Sequence, residues 1–324
     1  MTPTTRYTAL AHAMGSRATL MKPLGPMTTY GVGGPAALFA EVDEPEDLEI
    51  VRGLLRGSGL ATLVVGRGSN LLVADAGFDG VVVHLGRGFA SVTLPRFHPD
   101  APGPWVVRVG AAVPLPSLAR QAADAGWSGL SWAVGVPGSV GGAIRMNAGG
   151  HGADMASCLH SYTWVDLVSE AGGTDDPARL AYGYRSSSVA PSEVVLGAEV
   201  VVTPGAVDVE QAAVSSIVRW RREHQPGGSN AGSVFTNPVG DSAGRLIEAA
   251  GLKGWRIGTA HVSEKHANFI QADKGGSADD VRALMEHVRG VVLERSGVAL
   301  TEEVRLLGFE GGKTGAVSHA GDGE

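Results

Sequence analysis

The sequence has little cysteine: Cys158 is the single one among 324 residues. An intrachain disulfide and a cysteine-based zinc cluster are therefore excluded. Long apolar runs are also missing, since no stretch approaches the roughly 20 residues that a membrane-spanning helix requires. Residues 1–27 contain Arg6, His12 and Arg17 but no continuous apolar segment, so no secretory signal is evident. We therefore expect a soluble, cytoplasmic protein without membrane association.

Positive charge is not in excess, because 26 Lys and Arg residues stand against 33 Asp and Glu residues, for a formal net charge of −7. A mildly acidic chain without a basic block is not suited to nucleic acid, and we expect no nucleic-acid partner. Hydrophobic residues make up 44% of the chain, which excludes disorder throughout. The ten histidines include His261 and His266, but no companion ligand spacing specifies a metal, so we expect none.

Glycine, in contrast, is abundant: 48 residues are glycine, well above the usual share of about 7%. The glycines cluster at 31–34, 66–68, 135–150 and 227–232 rather than at every third position, which excludes collagen. A single cluster is most simply an ordinary turn. Several clusters, each next to a predicted strand or helix, favour backbone that approaches a large anionic ligand closely.

The hydrophobic pattern predicts mixed strands and helices without strict alternation, which is typical of the α+β class. The length allows two domains, and we place their boundary near 204–214, around Pro204 and Gly205. Residues 1–27 are expected to form a loosely structured leader, and residues 311–324 a disordered tail. Strands are predicted at 61–65, 81–83, 105–113, 159–168 and 193–202, and helices at 45–57, 117–125, 209–224 and from 278 onward, the last opened by Ser277.

The first candidate phosphate-binding segment follows a short apolar strand and comprises Gly66, Arg67, Gly68, Ser69 and Asn70. Backbone N–H groups in such a turn can surround an anion, and the serine and asparagine side chains add donors. The segment is not a dinucleotide fingerprint, because a leucine stands where the third glycine is required, and the chain has no Walker motif. A simple turn between a strand and a helix is the plainer interpretation.

The second candidate segment, residues 134–150, is more specific because small residues continue over a long stretch. A bulky side chain there would keep a phosphate or a flat ring away from the backbone. Ser139 and Asn147 are its only uncharged side chains that form hydrogen bonds. We therefore expect cofactor contacts from this segment, at Pro137, Gly138, Ser139, Gly141, Gly142 and Asn147.

Both segments resemble the flavin-contacting segments of the UDP-N-acetylenolpyruvoylglucosamine reductases, also called UDP-N-acetylmuramate dehydrogenases. The resemblance keeps its order from about residue 28 to residue 309. It also includes the segments 29–36, 184–188, 230–238, 243–248, 262–269 and 300–305. It implies an FAD-binding domain of the PCMH (vanillyl-alcohol oxidase) type over 28–204 and a smaller α+β substrate-binding domain over 214–310.

The resemblance further implies non-covalent FAD, NADPH as the reductant and a monomeric enzyme of peptidoglycan precursor synthesis. Its substrate would be UDP-N-acetylglucosamine enolpyruvate and its product UDP-N-acetylmuramate. The family reaction adds a hydride to C3 and a proton to C2 of the enolpyruvyl ether, which moves negative charge onto C2 and the carboxylate. Arg185, Ser233 and Glu303 match the catalytic positions. They would serve as the carboxylate clamp, the proton donor to C2 and the group that assists protonation or stabilises the enolate.

The substrate side departs from the family pattern. Arg185 and Ser233 are 48 positions apart, as in the shorter type of the family, which lacks an insertion carrying a phosphate-binding tyrosine. His224 and Thr236 stand where many members have lysine. We assign substrate contacts to Arg221, His224 and Asn237, with Arg222 as a further candidate.

Two alternatives stay open on sequence alone: a different flavin oxidoreductase of the same fold, and a non-catalytic protein that binds a nucleotide sugar. The first would have no reason to keep all three catalytic motifs together. The second would be expected to have an altered catalytic set.

Overall fold

The computed structural model describes residues 3–96 and 104–309, with side chains from residue 7 onward. Helices and strands are mixed along the chain, as the predicted α+β class requires. The helices are α1 (Pro3–Met14), α2 (Pro45–Leu55), α3 (Leu115–Asp124), α4 (Val140–Met146), α5 (Val207–His224), α6 (Ala243–Ala249) and α7 (Ala278–Ser296). The strands are β1 (Ala18–Pro23), β2 (Pro35–Val42), β3 (Thr62–Val64), β4 (Leu71–Val73), β5 (Phe78–Leu85), β6 (Val92–Thr93), β7 (Trp105–Gly110), β8 (Trp127–Ser128), β9 (Gly149–Gly150), β10 (Ala153–Asp154), β11 (Leu159–Asp166), β12 (Gly172–Asp175), β13 (Glu193–Pro204), β14 (Arg256–Ile257), β15 (Ala260–Val262), β16 (Ile270–Ala272) and β17 (Arg305–Leu307).

The first sheet has the strand order β1-β2-β5-β3, with β2, β5 and β3 parallel and β1 antiparallel to β2. Val81, Val82 and Val83 in β5 are fully buried, because the sheet is covered on both faces. The expectation of a loosely structured leader over 1–27 is wrong. Residues 18–23 form an edge strand of this sheet, and Tyr7, Leu10 and Met14 of α1 are buried in its core.

The second sheet is antiparallel, with the order β12-β11-β13-β7-β6, and β8 also pairs with β13. Helix α5 packs beside α3 and buries Val214 in the same core as this sheet. The predicted boundary at 204–214 therefore falls too early, since α5 belongs with the N-terminal half. The short segment after His224 is where the chain leaves that half.

The C-terminal half contains α6, α7 and the small sheet β14-β15-β16. The helical spacing of α7 favours burial of six apolar positions, of which Val281, Leu284, Met285, Val288 and Val292 are buried and Val291 is partly buried against the same core. Ser277 caps the helix, because its Oγ accepts a hydrogen bond from the Asp280 N–H at 3.1 Å. The predicted capping box is incomplete, since the Asp280 carboxylate accepts from the backbone and hydroxyl of Thr259 instead.

Several contacts besides the chain connection join the two halves, and two of them lie beside β4. Strand β17 pairs in parallel with β4, so that Leu307 is buried in the core of the N-terminal half. Asp75 accepts hydrogen bonds from Ser277 Oγ and from the N–H of Ala278 at the start of α7. These contacts hold the C-terminal half against the glycine-rich segments.

No helix within residues 3–96 and 104–309 is long and apolar enough to cross a membrane. Cys158 is buried, as expected for a small apolar residue. The predicted tail at 311–324 lies outside the described residues.

Candidate active site

A cavity of about 590 Å³ lies between the two halves. The N-terminal half contributes both glycine-rich segments, and the C-terminal half contributes the loop at 230–237 and the chain at 303–307. Most of the predicted site residues line it. They are Arg67, Gly68, Ser69, Asn70, Pro137, Gly138, Ser139, Gly142, Arg185, Arg221, Ser233, Asn237 and Glu303. Gly66, Gly141, Asn147 and His224 are not among the lining residues.

The first glycine-rich segment is shaped by close backbone approach. Gly68 has a φ of +58°, and a Cβ placed there would lie 2.3 Å from the carbonyl oxygen of Met27. A Cβ at Gly66 would lie 2.4 Å from Ser139 Oγ, so the two glycine-rich segments touch at this point. Both glycines are therefore needed for the shape of the cavity wall.

Replacing Gly68 by alanine is expected to reshape this wall. The strained backbone costs about 1 to 3 kcal/mol, and the clash is with backbone atoms that cannot rotate away. We expect FAD affinity, measured by quenching of flavin fluorescence, to fall about tenfold or more. Gly150→Ala is the matched control, because a Cβ at Gly150 meets nothing within 4 Å. Unchanged FAD binding by Gly68→Ala would contradict the role given to this turn.

In the second segment, two residues predicted to contact the cofactor, Gly141 and Asn147, make contacts within the protein. A Cβ at Gly141 would meet Ala111 Cβ at 3.0 Å, so this glycine lets α4 approach the second sheet. The side-chain amide of Asn147 donates to the carbonyl of Gly183 at 3.1 Å, and its Oδ1 accepts from the Ala156 N–H at 2.9 Å. Asn147 ends α4 in the left-handed conformation, and it ties that helix end to the loop carrying Arg185.

Arg185 is fixed by several contacts. Its Nη2 donates to the carbonyl of Gly149 at 2.7 Å, and its Nε lies 3.0 Å from Glu303 Oε1. Its backbone has a φ of +55°, a conformation rare outside glycine and typical of functional positions. The guanidinium is thus held at the cavity wall next to a carboxyl group from the other half of the molecule.

Glu303 is placed by backbone contacts on both sides. Its N–H donates to the carbonyl of Val234 at 2.8 Å, and its own carbonyl accepts from Asn70 Nδ2 at 3.1 Å. Asn70, predicted as a cofactor contact, therefore also anchors this glutamate. Burial raises the pKa of Glu303 above its usual range, although the nearby Arg185 guanidinium acts in the opposite direction.

The neighbouring Glu302 has a different environment. Its Oε1 accepts from Arg282 at 2.7 Å and from Arg289 at 2.8 Å, both on α7. Because successive side chains of extended backbone point in opposite directions, one glutamate contacts α7 and the other lines the cavity. Glu302 therefore contacts α7 and is not a fully solvated edge residue.

The raised pKa of Glu303 predicts a pH effect on stability. A carboxyl group whose pKa is higher in the folded than in the unfolded state binds more protons when folded, so its contribution is lost as pH rises. From about pH 4.5 upward, the free energy of unfolding of the wild type should therefore fall relative to Glu303→Gln. Urea denaturation of both proteins over a pH series measures this difference. A difference that stayed flat or rose with pH would contradict the buried environment of Glu303.

Ser233 lies at the cavity wall directly after a glycine turn. The preceding Gly232 has a φ of +77°, and its N–H donates to Asn230 Oδ1 at 3.0 Å. The following Val234 is fully buried and anchors the segment in the C-terminal core. The hydroxyl is therefore presented on the same cavity as Arg185 and Glu303.

The three residues predicted to contact the substrate do not all line the cavity. Arg221 and Asn237 line the cavity. His224 is exposed and stacks on Trp220, with its Nδ1 2.8 Å from the Trp220 carbonyl oxygen. Thr236 Oγ1 donates to the carbonyl of Thr301 at 3.3 Å, a contact within the C-terminal half.

Sequence reasoning missed two cationic lining residues, Arg145 and Arg305. The pKa of Arg145 is lowered, first by burial and then by the charge of Arg305, so the two guanidinium groups repel one another across the cavity. Both residues stand inside motifs that carried the family resemblance, at 134–150 and at 300–305. The sequence signal that could have identified these two arginines was their positive charge within these motifs. Groups of histidine, cysteine and carboxylate side chains suited to a metal are absent from the part of the chain that is described.

Comparison with known proteins agrees with this arrangement. The FAD binding domain family matches residues 36–174, and the C-terminal domain of UDP-N-acetylenolpyruvoylglucosamine reductase matches residues 224–307. The chain is 41% identical over 303 residues to the UDP-N-acetylenolpyruvoylglucosamine reductase of Heliobacterium modesticaldum, covering 90% of this chain and 91% of that protein. It is 43% identical over 296 residues to the corresponding protein of Synechococcus sp. strain WH7803, covering 89% and 92%.

The solved structure of UDP-N-acetylenolpyruvylglucosamine reductase from Thermus caldophilus superimposes with a TM-score of 0.75 at 33% identity. That match covers 90% of this chain and 98% of the other. The expected PCMH-type FAD-binding domain, followed by a smaller domain, is confirmed. On the basis of these matches over nearly its whole length, the chain belongs to the UDP-N-acetylenolpyruvoylglucosamine reductase family.

Proposed function

We propose that this chain is an FAD-dependent reductase that uses NADPH to convert UDP-N-acetylglucosamine enolpyruvate to UDP-N-acetylmuramate, a precursor of peptidoglycan. The single observation that carries the proposal is the convergence of Arg185, Ser233 and Glu303 on one cavity, beside two glycine-rich walls. Membership of the family supports the same reaction. No feature of the site favours the alternative of a different flavin enzyme or a non-catalytic binding protein.

The residues present fit FAD. The lining of the two glycine-rich walls consists largely of small residues, Gly68, Ser69, Gly138, Ser139 and Gly142, which let a ligand come close to the backbone. The diphosphate of FAD carries two negative charges, and Arg145 and Arg305 supply two positive charges on the cavity wall. The residues that would hold FAD are Arg67, Gly68, Ser69, Asn70, Pro137, Gly138, Ser139, Gly142, Arg145 and Arg305.

When bound, FAD reduced by NADPH supplies the hydride that is added to C3 of the enolpyruvyl ether. The role of the protein is to manage the negative charge that this addition moves onto C2 and the carboxylate. Arg185 can donate parallel N–H bonds to the planar carboxylate, because its guanidinium is already oriented by Gly149 and Glu303. Fixed donors of this kind need no reorganisation as charge develops.

Ser233 then donates its hydroxyl proton to C2. An alcohol is a weak acid, but the carbanion at C2 is a strong base, so the transfer is favourable. Glu303 assists, because burial raises its pKa and its protonated form can donate a hydrogen bond to the developing enolate. Its Oε1 lies 3.0 Å from Arg185 Nε, and this contact links the proton-donating and carboxylate-binding parts of the site.

The nucleotide diphosphate of the substrate is assigned to Arg221 of α5 and Asn237 of the C-terminal half, which both line the cavity. Arg221 is well placed, because its Nε donates to Gln225 Oε1 at 2.7 Å and the side chain is thereby fixed. His224 is not retained as a substrate contact, since its ring stacks on Trp220 outside the cavity.

The enzyme is further proposed to act as a cytoplasmic monomer. Arg185, Ser233 and Glu303 of the same chain lie on one cavity, which supports a site that forms within a single copy. Size-exclusion chromatography with light scattering would test the monomer, and a stable dimer at micromolar concentration would contradict it.

The proposed function is tested by an anaerobic assay of the FAD-loaded protein. NADPH is added first to bleach the flavin absorbance near 450 nm, and the enolpyruvyl nucleotide sugar is then mixed in. We expect the absorbance to return in proportion to the substrate, together with formation of UDP-N-acetylmuramate. Reoxidation by oxygen alone, with no response to the substrate, would refute the proposed reaction.

A further inference from the structure

The segment 262–269 carries part of the family resemblance, yet no step of the reaction uses it. It crosses directly behind Ser233 and contains Asn268, a polar residue that is only 3% exposed. Burial of an amide is costly unless all its hydrogen-bonding groups are satisfied, so its partners indicate its purpose.

The carbonyl and the side-chain amide of Asn268 have their partners on the two residues after Ser233. Its backbone carbonyl accepts from the Val234 N–H at 2.9 Å. Its side-chain Oδ1 accepts from the Phe235 N–H at 3.0 Å, and its Nδ2 donates to the Phe235 carbonyl at 2.8 Å. The side-chain amide therefore pairs with the backbone N–H and carbonyl of Phe235, as the backbone of a neighbouring strand would.

Asn268 is itself held by hydrogen bonds within the turn at 263–268. Its backbone N–H donates to His266 Nδ1 at 3.2 Å. Ser263 Oγ accepts from the N–H of Lys265 at 3.1 Å and from that of His266 at 3.4 Å. The asparagine is thus a fixed support rather than a side chain that adapts to its neighbour.

The opposite side of the Ser233 segment is held by Glu303. The Glu303 N–H donates to the Val234 carbonyl at 2.8 Å. Residues 233–235 therefore lie between two supports, one of which is a proposed catalytic group. On the other end, Gly232 has a φ of +77° and offers little resistance to rotation. Loss of Asn268 would release the segment at the point where the hydroxyl must be aimed.

We propose that Asn268 is a positioning residue that fixes Ser233 for proton transfer to C2. The inference rests on the proposed function, since it takes Ser233 as the proton donor. A displacement of about 1 Å at a reacting group can cost roughly a hundredfold in rate, so a rigid support behind the donor has a large effect. Flavin reduction by NADPH does not require the Ser233 proton and is independent of this support.

The test compares the two half-reactions of FAD-loaded Asn268→Ala under anaerobic conditions. We expect NADPH to reduce the flavin within about twofold of the wild-type rate. Reoxidation by UDP-N-acetylglucosamine enolpyruvate is expected to slow by about 10-fold to 100-fold. Asn268→Ser places a hydroxyl that can form a hydrogen bond with one of the two Phe235 backbone groups. We therefore expect its reoxidation rate to lie between those of the wild type and Asn268→Ala. The serine variant also tests the proposal if Asn268→Ala does not fold.

The decisive measurement is a double-mutant cycle. In a Ser233→Ala background, Asn268→Ala should slow reoxidation by less than about twofold, because there is no longer a hydroxyl to position. Val292→Ala is the control, since it removes buried volume from the same C-terminal core but leaves the hydrogen bonds between Asn268 and residues 234–235 in place. It should lower the melting temperature while leaving both half-reactions near wild type.

Equal slowing by Asn268→Ala with and without the serine would overturn the positioning role. Slowing of flavin reduction and of reoxidation to the same extent would also overturn the positioning role. A wild-type flavin that the enolpyruvyl substrate does not reoxidise would instead overturn the proposed function, and with it the proton-donor role of Ser233. The two failures are therefore distinguishable in one set of experiments.

Discussion

Replacement of Ser233 by alanine is expected to slow substrate-driven reoxidation of the flavin by about 100-fold to 10,000-fold, the usual contribution of a general acid. Reduction by NADPH should stay within about twofold of wild type, because that step needs no proton from this hydroxyl. Stopped-flow absorbance under anaerobic conditions measures both steps separately. The missing hydroxyl also leaves the fold intact, since Val234 and Phe235 keep their backbone bonds to Asn268.

Ser229→Ala is the matched control for this prediction. Ser229 lies in the same loop but does not line the cavity, so both half-reactions should keep their wild-type rates. If Ser233→Ala slowed reduction and reoxidation alike, Ser233 would have a structural role and another group would supply the proton.

Replacement of Arg185 by lysine is expected to slow reoxidation by about a hundredfold, comparable with the loss of one fixed donor to a developing negative charge. Lysine keeps the positive charge, but a single ammonium cannot donate to Gly149 and Glu303 while also gripping a planar carboxylate. The apparent affinity for the enolpyruvyl substrate should also fall, because the carboxylate is present before hydride addition. Reoxidation rates over a range of substrate concentrations separate these two effects.

The control for the arginine is Arg245→Lys. Arg245 is exposed and pairs with Asp241 on the surface of α6, so the same chemical change there should alter neither half-reaction. Wild-type reoxidation by Arg185→Lys would remove this residue from the proposed carboxylate clamp.

Much of the fold follows from periodicity in the sequence. The buried run at Val81–Val83 and the amphipathic α7 gave correct predictions, because burial on both faces and helical spacing are local signals. The leader and the domain boundary were predicted wrongly for one shared reason. Whether residues 18–23 pair with β2, and whether α5 packs on the first core, depends on distant partners that local patterns do not encode.

The candidate catalytic residues could be proposed from motifs, but their surroundings could not. The sequence places Arg185 and Glu303 far apart, and only the fold brings Nε and Oε1 to 3.0 Å. For Asn70 and Asn147, the motif predicted a cofactor contact but not the hydrogen bonds that each makes within the protein. Both were predicted as cofactor contacts from their glycine-rich segments, yet their amides form hydrogen bonds to Glu303 and Gly183 within the protein. Asparagine in such a turn is used as readily for the backbone as for a ligand.

The parallel pairing of β17 with β4 sets an order for biosynthesis. Strand β4 directly follows the first glycine-rich turn, but its partner, Arg305–Leu307, is among the last described residues to leave the ribosome. Because domains fold as their residues emerge, the N-terminal half must wait with this strand edge unpaired and with no glutamate at the cavity wall. The complete cavity can therefore form only after residues 303–307 have been synthesised, because a shorter nascent chain lacks both Glu303 and the partner of β4.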